Sequence, residues 1–235
     1  MSTTLTEKSA LVLGAGGLGG AALLVLASAG VGRLLVGDDA CLETSDLNRQ
    51  PLFGEADLGE RRAVAAARRL SRLFPSTRVE LLERPFDASS AVALVGSVDV
   101  VVDASGDVST QFLANDAALS ARRPLVHGGV IRYAAQLLTV VPGTTGCLRC
   151  LFEAPPPAGS VPTTAEAGVV GPLAGFAGAL MGAEAVRLLS GGVGTYAGQL
   201  QVYESRRARA RTVPVSMREG CPVCQLVRAA SPVPS

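Results

Sequence analysis

The run Ala10-Leu11-Val12-Leu13-Gly14-Ala15-Gly16-Gly17-Leu18-Gly19 decides the fold. Four apolar residues pass straight into a glycine loop of pattern GxGxxG, and a helix-like segment follows to about Ala29. A strand that turns this tightly into a helix needs glycine, both for the turn and for close approach of backbone to a bound group. The amides left unpaired at the helix start then face phosphate oxygens. Leu34–Gly37 reads as the next strand and ends at Asp38, 19 residues beyond Gly19. A carboxylate there can accept hydrogen bonds from ribose hydroxyls. These features point to a nucleotide, and NAD fits them as well as ATP.

Outward from this unit, strand and helix patterns alternate. Gly59–Leu73 has helical spacing with a basic face of Arg61, Arg62, Arg68, Arg69 and Arg72. Arg78–Leu82, Val98–Val102 and Pro124–Val126 are short buried-strand patterns, and Asp107–Ser120 is a helix pattern. Such alternation implies a parallel sheet covered on both faces. After Val130 the pattern changes. Tyr133–Val141 reads as a longer strand, Pro155-Pro156-Pro157 opens a breaker-rich loop, Gly171–Leu189 is a glycine-rich helix and Gln199–Tyr203 a further strand. The expected class is α/β: a Rossmann-like, doubly wound, mostly parallel sheet extended at its edge by antiparallel strands. One domain is expected over residues 1–228, with a flexible tail at 229–235.

Composition narrows the function. The 235 residues are 48% hydrophobic and 17% charged with mean hydropathy +0.36, so a large core is available and a disordered chain is excluded. A net charge of +1 argues against a broad grip on nucleic acid or an anionic membrane. Aromatics at 4% with no Trp argue against stacking platforms. Met1–Lys8 is polar and the apolar run behind it is broken by glycines, so no signal peptide is read and a cytoplasmic protein is expected. The uncharged stretch Ala167–Ala183 contains Pro172 and five glycines, which favours a buried helix over a membrane span. Gly171, Gly175, Gly178 and Gly182 leave one face of that helix nearly bare, ready to pack against the sheet or a second copy.

Three further features carry chemistry. Cys147-Leu148-Arg149-Cys150 and Cys221-Pro222-Val223-Cys224 are two CxxC pairs, each preceded by glycine, and suit a tetrahedral Zn²⁺ held by four thiolates. With every ligand from protein, the metal would be structural. Cys41 is left over and reads as a small core residue. Leu47-Asn48-Arg49-Gln50 and Gly59-Glu60-Arg61-Arg62 bring arginines past the second strand, towards the phosphate side. Several cations there suit triphosphate chemistry better than hydride transfer. Arg68, Arg69 and Arg72 read as a solvated helix face. The stretch Asp103, Ser105, Gly106, Asp107 offers acid for Mg²⁺, while Asp107 is equally placed to cap the next helix. His127, the only histidine, reads as a satisfied core residue.

In chain order, GAGGLG (Gly14–Gly19), DLNRQ (Asp46–Gln50), DVVVDASGD (Asp99–Asp107), CLRCLF (Cys147–Phe152), AEAGVVGPLAG (Ala165–Gly175) and CPVC (Cys221–Cys224) resemble the ThiF/MoeB/HesA family, the bacterial relatives of ubiquitin-activating enzymes. The resemblance spans about Leu11 to Cys224. It implies an adenylyltransferase that uses ATP and Mg²⁺ to activate the C-terminal Gly-Gly carboxylate of a ubiquitin-like sulfur-carrier protein, for thiamine, molybdopterin or related sulfur metabolism. It also implies a homodimer and structural zinc at the CxxC pairs. By position it makes Gly14, Gly16, Gly17 and Gly19 the phosphate-side turn, Asp38 the ribose ligand and Arg49 the cation against the triphosphate. Asp46 and Arg62 fall at nucleotide-binding positions, and Arg49, Arg62 and Asp107 are the catalytic candidates.

Some positions depart from the family pattern. Asp46 stands where Asn is usual, Arg62 where Lys is usual, and Gly106 where the family carries an acid, with Asp107 beside it. Thr164 replaces a frequent Cys, and the segment before the first strand is shorter than the Arg-bearing arm of related dimers. The leading expectation is therefore carrier adenylation. A non-catalytic relative that binds nucleotide or carrier is the alternative, and an NAD(P)-dependent oxidoreductase the weaker one.

Overall fold

The structure is a computed structural model and describes residues 4–157, 159–160 and 164–229. Strand β1 (Ser9–Leu13) runs into α1 (Gly17–Ser28), and β2 (Arg33–Gly37) follows. Then come α2 (Arg62–Leu73), β3 (Arg78–Leu81), α3 (Ala91–Gly96), β4 (Val100–Asp103), α4 (Val108–Ser120), β5 (Leu125–Ile131) and β6 (Ala134–Val140). The chain continues with α5 (Leu148–Leu151), α6 (Thr164–Ala167), α7 (Gly171–Leu189), β7 (Gln199–Glu204), β8 (Arg209–Pro214) and α8 (Pro222–Ala229).

One eight-stranded sheet has the order β3-β2-β1-β4-β5-β6-β7-β8. The first five strands are parallel and the last three add antiparallel, as the sequence implies. β1 and β4 are neighbours whose following helices leave to opposite faces, so the strand order reverses between them. A doubly wound sheet forms its ligand crevice beyond the carboxyl ends at that point.

Two apolar layers cover the sheet. Val12, Val36, Val102 and Val126 pack against α1, α2 and α7; Leu11, Leu35, Val101 and Leu125 pack against α3, α4 and α8. The alternation along each strand is the pleat, and both faces are dry. α7 has the length and apolar composition of a membrane span, yet Leu173, Ala177, Met181 and Ala185 are buried in the first layer. It lies along α1, close enough that a methyl at Gly178 would strike the Leu18 carbonyl and one at Gly182 would lie 2.7 Å from the Val25 Cβ. The bare glycine face therefore packs on this chain's own α1.

Several elements depart from the sequence reading. α2 begins at Arg62 because Gly59 takes a positive φ of 82° and forms a turn. β5 extends to Ile131 because it forms a hairpin with β6 through its last residues. β8 escaped notice because its burial is almost uniform exposure, with no apolar alternation to mark it. Cys41 is exposed, in an isolated bridge with Arg61, and not a core residue. Of the expected tail, Ala229 ends α8 and residues 230–235 lie outside the described residues.

Candidate functional site

At the carboxyl ends of β1 and β4 the glycines make the tight strand-to-helix turn. Gly14 has φ +89°, and a Cβ there would lie 2.6 Å from the Ala104 carbonyl oxygen. Only glycine lets the turn after β1 press against the turn after β4. Gly16, by contrast, has open space on its exposed side, with the Gln50 Nε2 at 3.9 Å as the nearest atom to an added Cβ. That space is the floor of a cavity of about 660 Å³, and a second cavity of about 400 Å³ continues from it towards β2 and β3. Gly14, Asp38, Arg62, Ser105, Gly106 and Asp107 line both.

Asp38 braces the turn: Oδ2 accepts the Ala15 amide at 2.7 Å and Oδ1 the Ala40 amide at 2.9 Å. Asp46 is 1% exposed and joins two cations. Arg49 donates to its Oδ1 and Arg62 to its Oδ2, each at 2.7 Å. Asp46 also accepts the Glu43 amide at 3.1 Å, which closes the helical turn Thr44–Asp46 that carries it. Both arginine side chains are about a fifth exposed, and both line the larger cavity. The three charged residues expected at the phosphate side are thus one cluster, and Asp38 joins it with its Oδ2 4.0 Å from the Arg62 Nη1, so that two cations face two carboxylates.

Asp107 caps α4, its Oδ2 accepting the Thr110 amide and hydroxyl at 2.8 Å each. Asp103, fully buried at the end of β4, accepts the Ser105 hydroxyl at 2.6 Å and meets the His127 Nδ1 at 2.8 Å. His127 is the satisfied core residue expected, and the pair fixes the loop from Ala104 to Asp107. At Gly106 an added Cβ would meet nothing within 4 Å. Of the expected basic helix, Arg68 faces solvent, pairing with Asp57 and Glu60, and the exposed Arg61 pairs with Asp39.

Sequence reasoning missed Gln50 as a site residue. It is 2% exposed, lines the larger cavity, and its Oε1 has no partner among the described residues. A buried amide left short of a partner is costly unless something else supplies the bond. Its place beside Arg49 was the available signal; its burial was not legible.

Away from the cavity, the four cysteines Cys147, Cys150, Cys221 and Cys224 converge with all Sγ atoms within 4.8 Å. Cys147–Cys150, Cys147–Cys221 and Cys150–Cys224 are separated by 3.8, 3.7 and 3.6 Å. A tetrahedron with Zn–S bonds of about 2.3 Å has edges of about 3.8 Å, so this donor set fits zinc in size and in chemistry. Burial pushes the Cys147 thiol up to about 11 and raises Cys224 as well. At Cys150 burial is outweighed by hydrogen bonds, including the Arg218 amide at 3.3 Å, which bring it below the ordinary thiol value. Arg149, inside the first CxxC pair, grips the Asp116 carboxylate through Nε and Nη2 at 2.8 Å each. The adjacent Asn115 accepts the Leu148 amide at 2.9 Å, so the cysteine clasp is bolted to α4.

The chain as a whole is similar to known proteins. The profile of the ThiF family matches residues 2–223. A sulfur carrier protein adenylyltransferase of Thermus thermophilus is 41% identical over 94% of this chain and 83% of its own length. The SAMP-activating enzyme E1 of Haloferax volcanii is 39% identical over 94% and 81%. The crystal structure of Escherichia coli MccB with ATP superposes with a TM-score of 0.82 over 94% of this chain and 67% of that one, at 21% identity, and so shares the fold. The family profile and these relatives each match nearly the whole length of the chain, which therefore belongs to the ThiF family.

Proposed function

We propose that the protein is an ATP-dependent adenylyltransferase that activates the C-terminal Gly-Gly carboxylate of a ubiquitin-like sulfur-carrier protein, in the cytoplasm and as a homodimer. Residues 1–228 form its working unit. The observation that carries the reading is the Arg49–Asp46–Arg62 cluster beside the glycine turn. It sets two guanidinium groups at the wall of the cavity whose floor is Gly16, held ready by carboxylates that a triphosphate can replace as partners. The names of its relatives agree, among them the ThiS adenylyltransferase of Escherichia coli at 34% identity over 94% of this chain and 87% of its own length.

In this reading the smaller cavity, with Leu81 and Phe86 in its wall, takes the nucleoside and Asp38 meets its ribose. Gly14, Gly16, Gly17 and Gly19 let the backbone approach the phosphates. Arg49 and Arg62 hold the α-phosphorus in line for the attacking carboxylate and stabilise charge as pyrophosphate leaves. Asp107 is the carboxylate available to Mg²⁺, which when bound neutralises phosphate charge. The four cysteines hold structural zinc. No nucleophilic side chain is needed, because the carrier's carboxylate is the nucleophile, and Thr164 is compatible with that.

ATP–pyrophosphate exchange with Mg²⁺, with and without a Gly-Gly-terminated carrier from the same genome, tests the reading. Carrier-dependent exchange lost in Arg49→Ala supports it. Nucleotide binding without exchange favours a non-catalytic relative, and a change in NADH fluorescence on adding protein favours an oxidoreductase.

A further inference from the structure

The β7–β8 hairpin carries Arg206, Arg207, Arg209 and Arg211 within six residues, four of the chain's 21 Lys and Arg. All four are exposed, and none forms an ion pair with the described residues. Arg206 lies over the half-exposed Tyr133 ring at 4.8 Å, and its backbone amide is bonded to Glu204 at 2.9 Å. A chain of net charge +1 therefore concentrates cations on one edge of its sheet, where Glu204, opposite Arg209, is the carboxylate the register sets among them.

The register joins that edge to the active cavity. Gly129 pairs with Gln136, Gln136 with Val202, and Val202 with Arg211; the neighbouring row runs Ile131, Ala134, Glu204, Arg209. Residues opposite one another in a sheet project to the same face. Gly129, Ile131, Ala134, Gln136 and Val202 all line the larger cavity. Arg209 and Arg211 thus continue its wall outward on the same face, one strand spacing of about 4.8 Å beyond β7.

On the adenylation reading, we infer that Arg209 and Arg211, with Arg207 at the turn, form the docking surface for an acidic face of the carrier's folded body. A peptide tail threaded to Gly16 leaves the body of its protein outside the cavity, against whatever flanks the wall. Here that flank is cationic. A second copy is a poor occupant, since pairing β8 with β8 would set arginines against arginines. Charge at the rim of an interface acts mainly on encounter and is screened by salt.

The experiment measures carrier-dependent ATP–pyrophosphate exchange for the unaltered protein, the double variant Arg209→Glu/Arg211→Glu and the charge-retaining Arg209→Lys/Arg211→Lys. Expected for the Glu pair are a KM for carrier raised at least tenfold and a KM for ATP and a saturated kcat within twofold. The Lys pair stays within threefold throughout. In the unaltered protein the KM for carrier rises between 20 and 200 mM salt, and in the Glu pair it does not. An unchanged KM for carrier in the Glu pair overturns the inference alone. So does a Lys pair as impaired as the Glu pair, or a 20-mer DNA duplex bound more tightly than carrier and released by the Glu substitutions. Absence of carrier-dependent exchange in the unaltered protein overturns the adenylation reading and this surface together.

Discussion

Arg62 donates through Nη2 to the Asp46 carboxylate at 2.7 Å, while Arg49 holds the other oxygen of the same group. The buried anion keeps two like charges together when no ligand is present. Removing it in Asp46→Ala leaves the arginines to repel each other, at a cost of about 3 kcal/mol if the cluster behaves as a buried pair. A bound triphosphate offers a replacement anion. Thermal melting is expected to show a lower Tm for Asp46→Ala and a larger ATP-induced rise than in the unaltered protein. An equal ATP-induced rise in both would mean that the arginines do not face the nucleotide.

The open space at Gly106 makes a gain-of-charge test feasible. Its φ is ordinary and an added Cβ meets nothing within 4 Å, so Gly106→Asp is expected to fold normally. With Asp107 partly committed to capping α4, a second carboxylate at the cavity should lower the Mg²⁺ concentration giving half-maximal exchange, by about tenfold if it gains one charge-assisted contact of about 1.4 kcal/mol. A Mg²⁺ titration of both proteins decides this.

Zinc content and stability should move together. One zinc per chain is expected by elemental analysis, and Cys221→Ser should abolish it and lower the Tm by several degrees. Acidification acts in the same direction: protons compete with metal for the thiolates, so zinc should be released progressively as the pH falls. Retained stoichiometry in Cys221→Ser would exclude the four-cysteine site.

Two glycines of α7 should respond oppositely. A side chain at Gly178 strikes the Leu18 carbonyl, so Gly178→Leu forces α1 and α7 apart and should destabilise by more than about 3 kcal/mol, or prevent folding. Nothing lies within 4 Å of a Cβ at Gly175, and Gly175→Ala should stabilise by about 0.5–1 kcal/mol through helix propensity alone. Chemical denaturation of the two proteins separates packing from propensity.

The parallel half of the sheet was legible because its strands are buried on both faces and separated by helices of regular period. β8 was not, because an exposed edge strand of arginines has no apolar face to read. Among site residues, Gly14, Asp38 and Arg49 sit in local patterns whose chemistry is recognisable at short range. The sharing of Asp46 between Arg49 and Arg62 depends on how a loop folds back over the start of α2, 16 residues on. The role of Gln50 and the pairing of Asp103 with His127 were not legible for the same reason: burial and cross-strand contact belong to the assembled sheet.

The cysteine clasp has a consequence for biosynthesis. Cys147 and Cys221 are 74 positions apart, and the clasp reaches α4, the helix that Asp107 caps at the cavity, through Arg149–Asp116 and Leu148–Asn115. A ribosome-bound chain that has exposed only the first CxxC pair holds two ligands and cannot close a four-thiolate site. The cavity at the switch point is therefore finished late, after the second pair emerges, and partial translation products are left without the fastening that steadies its α4 wall.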